Sequence, residues 1–166
     1  MRTAVALGSN LGDRLANLRA ARKAILSLSN VKPPIFCSAI YETDPVGCEP
    51  RAEKFLNAVV EFDYENDPAS LLEQLIRIEE GLGRRRGHKK NVSRTMDIDL
   101  LYWRDRRINN KALRLPHPRM HLRKFVLEPL ADIRPTLILP GQTKTVRQLL
   151  AELAESGGVA RFTDDW

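Results

Sequence analysis

The order of strand-like and helix-like segments in the first 103 residues is the feature that most narrows the fold of this chain. Four stretches are rich in β-branched and aromatic residues, which favour strands, and two have apolar residues at helical spacing. The strand-like stretches are residues 3–7, 35–43, 55–63 and 93–103, and the helix-like stretches are residues 14–28 and 68–82. Their order is β-α-β-β-α-β. It predicts an α+β fold with helices packed on a sheet.

The same order is typical of a ferredoxin-like sheet with its helices on one face. After residue 103 the sequence predicts a short strand near residues 106–109 and helical stretches at 125–133 and 146–155. These later stretches would form a C-terminal helical extension. The chain has 166 residues, about the length of one domain, so we expect a single domain over residues 1–166.

Composition and charge exclude some classes of protein. Hydrophobic residues make up 43% of the chain and charged residues 29%, and no apolar run reaches the ~18 residues of a membrane span. The two cysteines, Cys37 and Cys48, have no metal-ligand spacing. We therefore expect a cytoplasmic protein that binds no membrane and keeps its cysteines as thiols. The net charge of +6 indicates an anionic partner.

The strand-like segment SRTMDIDLLYW, residues 93–103, carries two acids on one face. Strict alternation gives one face Asp97, Asp99, Leu101 and Trp103 and the other face Met96, Ile98, Leu100 and Tyr102. The two acidic Cβ atoms would lie about 6.6 Å apart, so their charges would repel without a positive partner. Mg²⁺ suits such a pair because it is normally bound by one or two carboxylates together with substrate phosphates. A solvated strand face is the alternative from the pair alone.

Residues 83–94, GRRRGHKKNVSR, place six Lys or Arg residues just before the acids. A solvated loop is one interpretation of such a charge run. Cations beside a strand with two acids are also what phosphoryl transfer needs, and we favour nucleotide phosphate as the ligand. Neither G-x-x-x-x-G-K-[ST] nor G-x-G-x-x-G between a strand and a helix is present, so the nucleotide would be held in another way.

Five motifs in order resemble the 6-hydroxymethyl-7,8-dihydropterin pyrophosphokinases of folate biosynthesis over nearly the whole chain. They are LGSNLGDR, YETDPVG, FLNAV, RTMDIDLLY and LPHPRMHLRKFVLEPL. The resemblance implies transfer of the β,γ-pyrophosphoryl group of ATP to the hydroxymethyl oxygen of the pterin, with release of AMP. It also implies a ferredoxin-like fold, two Mg²⁺ ions, and ATP and 6-hydroxymethyl-7,8-dihydropterin as substrates. We expect a monomer with no nucleic-acid partner.

The resemblance also implies roles for individual residues. The catalytic residues would be Arg84, Arg94, Asp97 and Asp99, with Asp97 and Asp99 binding both metal ions. The pterin would contact Thr43, Val46, Phe55, Asn57 and Phe125, through stacking on the two rings and a bond from the Asn57 amide. ATP would contact Arg84, Arg86, Arg94, Leu100, His117 and Arg123, with the Leu100 backbone at adenine. Glu79 would order Arg84 or Arg94, or form a surface salt bridge.

This chain departs from the family pattern at two places. Family members commonly read R-W-G-P-R-T before the acids, whereas residues 90–95 read KNVSRT, and Asp44 replaces a common proline beside Thr43. An RNA-binding module is the main alternative, because ferredoxin-like sheets with basic loops bind single-stranded RNA. The sequence lacks the aromatic pattern that such modules carry on their central strands. A structural or regulatory domain without turnover is the third interpretation.

Overall fold

The computed structural model describes residues 2–45, 52–83, 94–153 and 158–166. Within these ranges the chain forms strands, four α-helices and one 3₁₀ turn. In chain order they are β1 (Arg2–Ser9), α1 (Arg14–Leu26), β2 (Val31–Cys37), β3 (Ile40–Thr43), β4 (Phe55–Tyr64), α2 (Pro68–Gly81), β5 (Asp97–Trp103), β6 (Ile108–Asn109), β7 (Arg114–Leu115), the 3₁₀ turn (Met120–Leu122), α3 (Lys124–Ile133), α4 (Val146–Glu152) and β8 (Val159–Thr163).

Six strands form one sheet in the order β5-β1-β4-β3-β8, with β2 also paired to β4. Every pairing within it is antiparallel. Strand β1 therefore lies between β4 and β5, although these strands are far apart in the sequence. Strands β6 and β7 form a separate two-stranded sheet. The fold is a mixed arrangement of helices and an antiparallel sheet.

Helices α1 and α2 begin where their capping residues predict. The Asp13 carboxylate accepts from the Ala16 N–H at 3.0 Å, and the Asp67 carboxylate accepts from two N–H groups at the start of α2, with Pro68 as its first residue. Both helices end within two residues of the predicted position. Their buried side chains, including Leu18 and Leu71, join the apolar residues of one sheet face in a first core.

Helices α3 and α4 pack on the opposite face of the sheet, which the expectation of helices on one face did not include. Ala4, Val59 and Leu101 of the sheet form a second core with apolar side chains of both helices. We call this side of the sheet the second face. None of the helices in the described ranges is long and apolar enough to span a membrane.

A β-bulge in β5 corrects the predicted alternation of its side chains. Val5 pairs with Leu100 and Ala4 pairs with Tyr102, so Leu101 is the extra residue on β5. Beyond the bulge the alternation reverses: Tyr102 joins Leu101 in the second core, whereas Trp103 packs on the first core. The two acids precede the bulge, so their shared face is as predicted.

Two other strand predictions need correction. The segment predicted as one strand at 35–43 is divided into β2 and β3, and β2 begins earlier, at Val31, with an irregular register around its two prolines. Proline lacks an N–H donor, so a regular ladder cannot continue there. The expected helical extension also missed β8, which returns to the sheet beside β3.

Candidate active site

The two acids and Asn57 lie on one face of three adjacent strands. Gly8 of β1 is opposite both Asp97 of β5 and Asn57 of β4, and Ala6 is opposite Asp99. Opposite residues in antiparallel strands share a face, so this row crosses the second face of the sheet. A Cβ atom at Gly8 would lie 3.2 Å from Asn57 Oδ1. Because Gly8 has no side chain, the space on this face between Asp97 and the Asn57 amide stays open.

Each acid has its own arginine partner. Arg94 Nη1 lies 2.8 Å from Asp97 Oδ2, and Arg123 Nη1 lies 3.2 Å from Asp99 Oδ2. Arg94 lies three residues before the start of β5, whereas Arg123 is 24 residues further along the chain than Asp99 and is the N-cap residue of α3. The positive charge that the acid pair requires thus comes from two separate parts of the chain. The Asp97 side chain remains 28% exposed and the Asp99 side chain 36% exposed.

The two carboxylates suit Mg²⁺, which takes some of its ligands from water and substrate, better than they suit a metal ion that is held by protein ligands alone. In the described part of the chain no three His, Cys, Asp or Glu residues come together as a metal cluster. Asp97 and Asp99 offer two partly exposed carboxylates on one face. Mg²⁺ is typically held by one or two carboxylates with water and substrate phosphates completing its shell.

Three of the residues predicted to bind the pterin, Thr43, Phe55 and Asn57, lie on β3 and β4 beside this row. Asn57 is buried, and its Nδ2 donates to Thr43 Oγ1 at 2.7 Å. Phe55 is opposite Thr43 and two residues from Asn57, so it shares the second face. The Phe55 ring also borders Gly8, with Cδ1 4.0 Å from the position of a Cβ there. The structure therefore brings Thr43, Phe55 and Asn57 together.

Phe125 reaches the same face from the first turn of α3. It is partly buried and packs on the second core. The Arg123 guanidinium carbon lies 5.4 Å from the centre of its ring. One surface of this ring thus adjoins the arginine that holds Asp99, and the fold places both predicted stacking rings on the second face.

His117 lies against β5 next to the acids. Its backbone N–H donates to the Leu101 carbonyl at 2.7 Å, and its Nδ1 accepts from the Arg119 N–H at 3.3 Å. Burial lowers the pKa of His117 below its usual value, and the negative charge of Asp99 opposes this shift. Leu100 contributes its side chain to the first core, so only its backbone, on the outermost strand β5, is available for the predicted adenine contact.

Glu79 has a different environment from the surface salt bridge considered above. Its side chain is buried, and its Oε1 accepts from the Ile98 N–H at 2.6 Å. Ile98 stands between the two acids, so Glu79 fixes the backbone that carries them. The predicted site residues Val46, Arg84 and Arg86 lie outside the described residues.

Sequence reasoning missed Arg14 and the buried polar residue Ser9 at the end of β1. Arg14 Nη1 donates to the Lys54 carbonyl at 2.8 Å and to Glu42 Oε1 at 3.0 Å, and so joins α1 to the strands that carry the pterin residues. Ser9 Oγ donates to the Thr95 carbonyl at 2.6 Å. The motif LGSNLGDR contains these residues, but a turn between a strand and a helix explained its glycines without assigning its polar side chains.

The chain matches a family model and several curated relatives. The model, 7,8-dihydro-6-hydroxymethylpterin-pyrophosphokinase, matches residues 4–135. The protein named 2-amino-4-hydroxy-6-hydroxymethyldihydropteridine pyrophosphokinase in Haemophilus influenzae is 37% identical, over 91% of this chain and 92% of the relative. The protein of the same name in Bacillus subtilis is 46% identical, over 78% of this chain and 75% of the relative. The relative of that name in Methylorubrum extorquens is 39% identical over 94% and 96%.

Solved structures agree on the fold. Plasmodium falciparum HPPK-DHPS with pteroate matches with a TM-score of 0.69 at 17% identity, over 90% of this chain and 42% of that one. This chain therefore spans less than half of that longer protein. The match over residues 4–135 and the identities above show that the chain belongs to the 7,8-dihydro-6-hydroxymethylpterin-pyrophosphokinase family.

Proposed function

We propose that this chain transfers the β,γ-pyrophosphoryl group of ATP to the hydroxymethyl group of 6-hydroxymethyl-7,8-dihydropterin and releases AMP, a step in folate biosynthesis. One observation carries the proposal beyond family membership. The Asp97–Arg94 and Asp99–Arg123 pairs lie on the same sheet face as Phe55 and Asn57. A site for a metal-bound polyphosphate thus adjoins a site for a flat heterocycle.

Asp97 and Asp99 would hold two Mg²⁺ ions together with the phosphates of ATP. When bound, the ions would neutralise phosphate charge and help to orient the triphosphate. Glu79 and the pairing of β5 with β1 keep both carboxylates on a rigid strand. The protein thus presents the acids in a fixed orientation before ATP binds.

The arginines would bind the triphosphate. Arg94 and Arg123 are within reach of the acids, and Arg84 and Arg86 would add charge from the basic segment. Guanidinium groups suit phosphate because they donate hydrogen bonds in pairs and stay charged. His117, next to Asp99, would contact a phosphate or the ribose, and the Leu100 backbone would contact adenine.

The pterin would lie on the second face between the rings of Phe55 and Phe125. The Asn57 amide and the Thr43 and Val46 backbone would bind the edge of the heterocycle. Because Asn57 Nδ2 already donates to Thr43, the orientation of the carboxamide is fixed, with its oxygen beside Gly8. That oxygen is suited to accept from an N–H group of the pterin.

In the reaction, the hydroxymethyl oxygen forms a bond to the β-phosphorus and loses its proton. The bond between the β-phosphorus and the oxygen that bridges to the α-phosphorus breaks, and this oxygen leaves with AMP. Arg94 and Arg123 would stabilise the negative charge that develops on the phosphate oxygens during transfer. The residues that bind ATP and those that bind the pterin would contribute mainly by holding the hydroxyl in line with the breaking bond.

We further propose that residues 1–166 form a single domain with a ferredoxin-like topology. The protein would act as a monomer in the cytoplasm. The order β5-β1-β4-β3, with α1 and α2 on the first core, supports this topology. The segments after β5 would be an extension whose helices cover the second face and whose strand β8 lengthens the sheet.

The nucleotide product tests the proposed function. The protein is incubated with ATP, Mg²⁺ and 6-hydroxymethyl-7,8-dihydropterin, and nucleotides are separated by chromatography. We expect one AMP for each pterin diphosphate formed, and no AMP when either the pterin or Mg²⁺ is omitted. Stoichiometric ADP, or an absence of pterin-dependent turnover, would contradict the proposal.

A further inference from the structure

Asp132, near the end of α3, holds that helix against β3 through both oxygens of its carboxylate. Its Oδ1 accepts from the Tyr41 hydroxyl at 2.8 Å, and its Oδ2 accepts from the Ala39 N–H at 3.1 Å. Arg161 Nη1 of β8 lies 3.7 Å from the same Oδ1. Tyr41 belongs to β3 and Ala39 directly precedes it. The last turns of α3 are therefore fixed to the strand that also carries Thr43.

Tyr41 extends the row of site residues to a fourth strand. It is opposite Asn57 in the pairing of β3 with β4, just as Gly8 is opposite Asn57 in the pairing of β1 with β4. Its side chain therefore lies on the second face, where it is only 6% exposed. Burial raises the pKa of Tyr41 to about 12, and the hydrogen bond to Asp132 adds to this effect. Tyr41 thus stays protonated and donates to Asp132.

Asp132 and Phe125 lie on the same side of α3. They are seven residues apart in one helix, and at 3.6 residues per turn such positions differ by only about 20° around the helix axis. Phe125 packs on the second core from this side. A rotation of α3 about its axis would move both residues together. The two hydrogen bonds of Asp132 to the β3 segment therefore also fix the direction of the Phe125 ring.

The hydrogen-bond ladder of α3 is interrupted beside Phe125, so contacts outside the helix matter there. Pro129 lies inside α3 and has no N–H to donate to the Phe125 carbonyl four residues earlier. The turn that carries the ring thus lacks one bond that would otherwise hold it. Arg123, bound to Asp99, holds the helix before this turn, and Asp132 holds it after this turn.

We propose that Asp132 is a positioning residue for the pterin, because it sets through α3 where the Phe125 ring lies. This inference rests on the proposed function, since it takes the pterin as the ligand that stacks on Phe125. Asp132 itself does not touch the pterin in this proposal. Its effect on pterin binding therefore passes through Phe125 and should disappear when that ring is removed.

The test is a double-mutant cycle on the dissociation constant of 6-hydroxymethyl-7,8-dihydropterin. Calorimetry is carried out with Mg²⁺ and α,β-methylene-ATP present, an analogue with no cleavable oxygen between its α- and β-phosphorus atoms. Asp132→Ala should weaken pterin binding by about tenfold when Phe125 is present, and by less than about twofold in Phe125→Ala. Equal losses in both backgrounds would overturn the role of Asp132.

Milder variants keep the inference falsifiable if Asp132→Ala does not fold. Asp132→Asn keeps one acceptor oxygen, so it should weaken pterin binding less than Asp132→Ala does. Tyr41→Phe removes one of the two bonds and should cost about threefold, again only when Phe125 is present. Tyr64→Phe is the matched control, because Tyr64 is a buried tyrosine of the first core whose hydroxyl accepts from Gln74 at 2.9 Å. It should keep the wild-type constant, and an equal loss in this control would contradict the proposal.

The dissociation constant of Mg²⁺ and α,β-methylene-ATP without the pterin separates positioning from general loosening. Because Arg123 is held by Asp99, Asp132→Ala should change this constant by less than about twofold. A similar weakening of both ligands would mean that Asp132 only stabilises the fold, and would overturn the inference. Pterin binding by the wild type is measured first, and its absence would instead contradict the proposed function.

Discussion

At the scale of single residues, a charged group is buried on the second face of the sheet, four residues along β4 from Asn57. Glu61 is buried, and it accepts from Arg134 Nε at 2.7 Å and from the Tyr102 hydroxyl. Burial raises the pKa of Tyr102 well above its usual value, and the Glu61 charge adds to this effect. Tyr102 therefore stays protonated and serves as a donor. The bulge at Leu101 makes this contact possible, because it turns Tyr102 toward the second face.

Tyr102→Phe should lower the free energy of unfolding by about 2 kcal/mol, since it removes a hydrogen bond to a buried carboxylate. Tyr64→Phe is a matched control, because Tyr64 is equally buried and its hydroxyl accepts from the neutral Gln74 amide at 2.9 Å. That variant should lose about 1 kcal/mol. Urea denaturation of both variants checks the order, and an equal or larger loss in Tyr64→Phe would contradict it.

Phe125→Ala should weaken pterin binding much more than ATP binding, by at least about tenfold for the pterin. The reason is that the ring is proposed to stack on the heterocycle alone. Separate titrations with each ligand check this, and Phe162→Ala, at an exposed ring on β8, is the control. Equal losses for both ligands would mean that Phe125 is a core residue whose removal loosens the fold.

At the scale of elements, hydrogen bonds join Gly158, directly before β8, to Asp44, which follows the predicted pterin residue Thr43. The Asp44 N–H donates to the Gly158 carbonyl at 3.2 Å, and the Gly158 N–H donates to Asp44 Oδ2 at 2.9 Å. Lys54, close to β4, lies 3.3 Å from Asp44 Oδ1. The acid that replaces the usual proline thus connects three segments, which a proline could not do through its side chain or its N–H.

The hydrogen bond from Gly158 and the nearby Lys54 charge lower the pKa of Asp44. A lowered pKa in the folded state means that the contribution to stability is full above the unfolded value of about 3.9 and is lost as the pH falls through the folded value. The melting temperature of Asp44→Asn should therefore lie below that of the wild type at pH 6, and the difference should shrink as the pH falls below about 3.9. Melts over this range check the sign, and Asp105→Asn controls for the loss of an exposed charge. A difference that persisted in acid would contradict this origin.

The elements also show how far sequence reasoning reaches. Local signals placed α1 and α2 well, because each has a capping acid and an apolar face. Strand β8, VARFT, was missed because it is short and mostly exposed, so its pattern resembles a loop. The reversal at Leu101 also could not be predicted, because a bulge depends on the register with β1 and leaves no mark in the composition of β5.

At the scale of the whole molecule, the candidate site is assembled across the sheet. The period of two within β5 sufficed to predict that Asp97 and Asp99 share a face. The contact of Asp99 with Arg123 depends on how α3 packs on the second face, and the row from Asp97 through Gly8 to Asn57 depends on strand order. These contacts join parts of the chain that are distant in sequence. No local pattern predicts them, and only the resemblance to the family indicated that these residues share a site.

The central claim is that Asp97 and Asp99 carry the Mg²⁺-dependent transfer, and AMP formation by Asp97→Asn and Asp99→Asn at saturating Mg²⁺ tests it most directly. Asparagine keeps the shape and removes the charge, so each variant should lose at least about a hundredfold in turnover. Because both acids are partly exposed, their unfolding free energies should stay within about 1 kcal/mol of the wild type in parallel melts. Asp105→Asn should keep full activity. Wild-type AMP formation in both folded Asp97→Asn and Asp99→Asn would contradict the account.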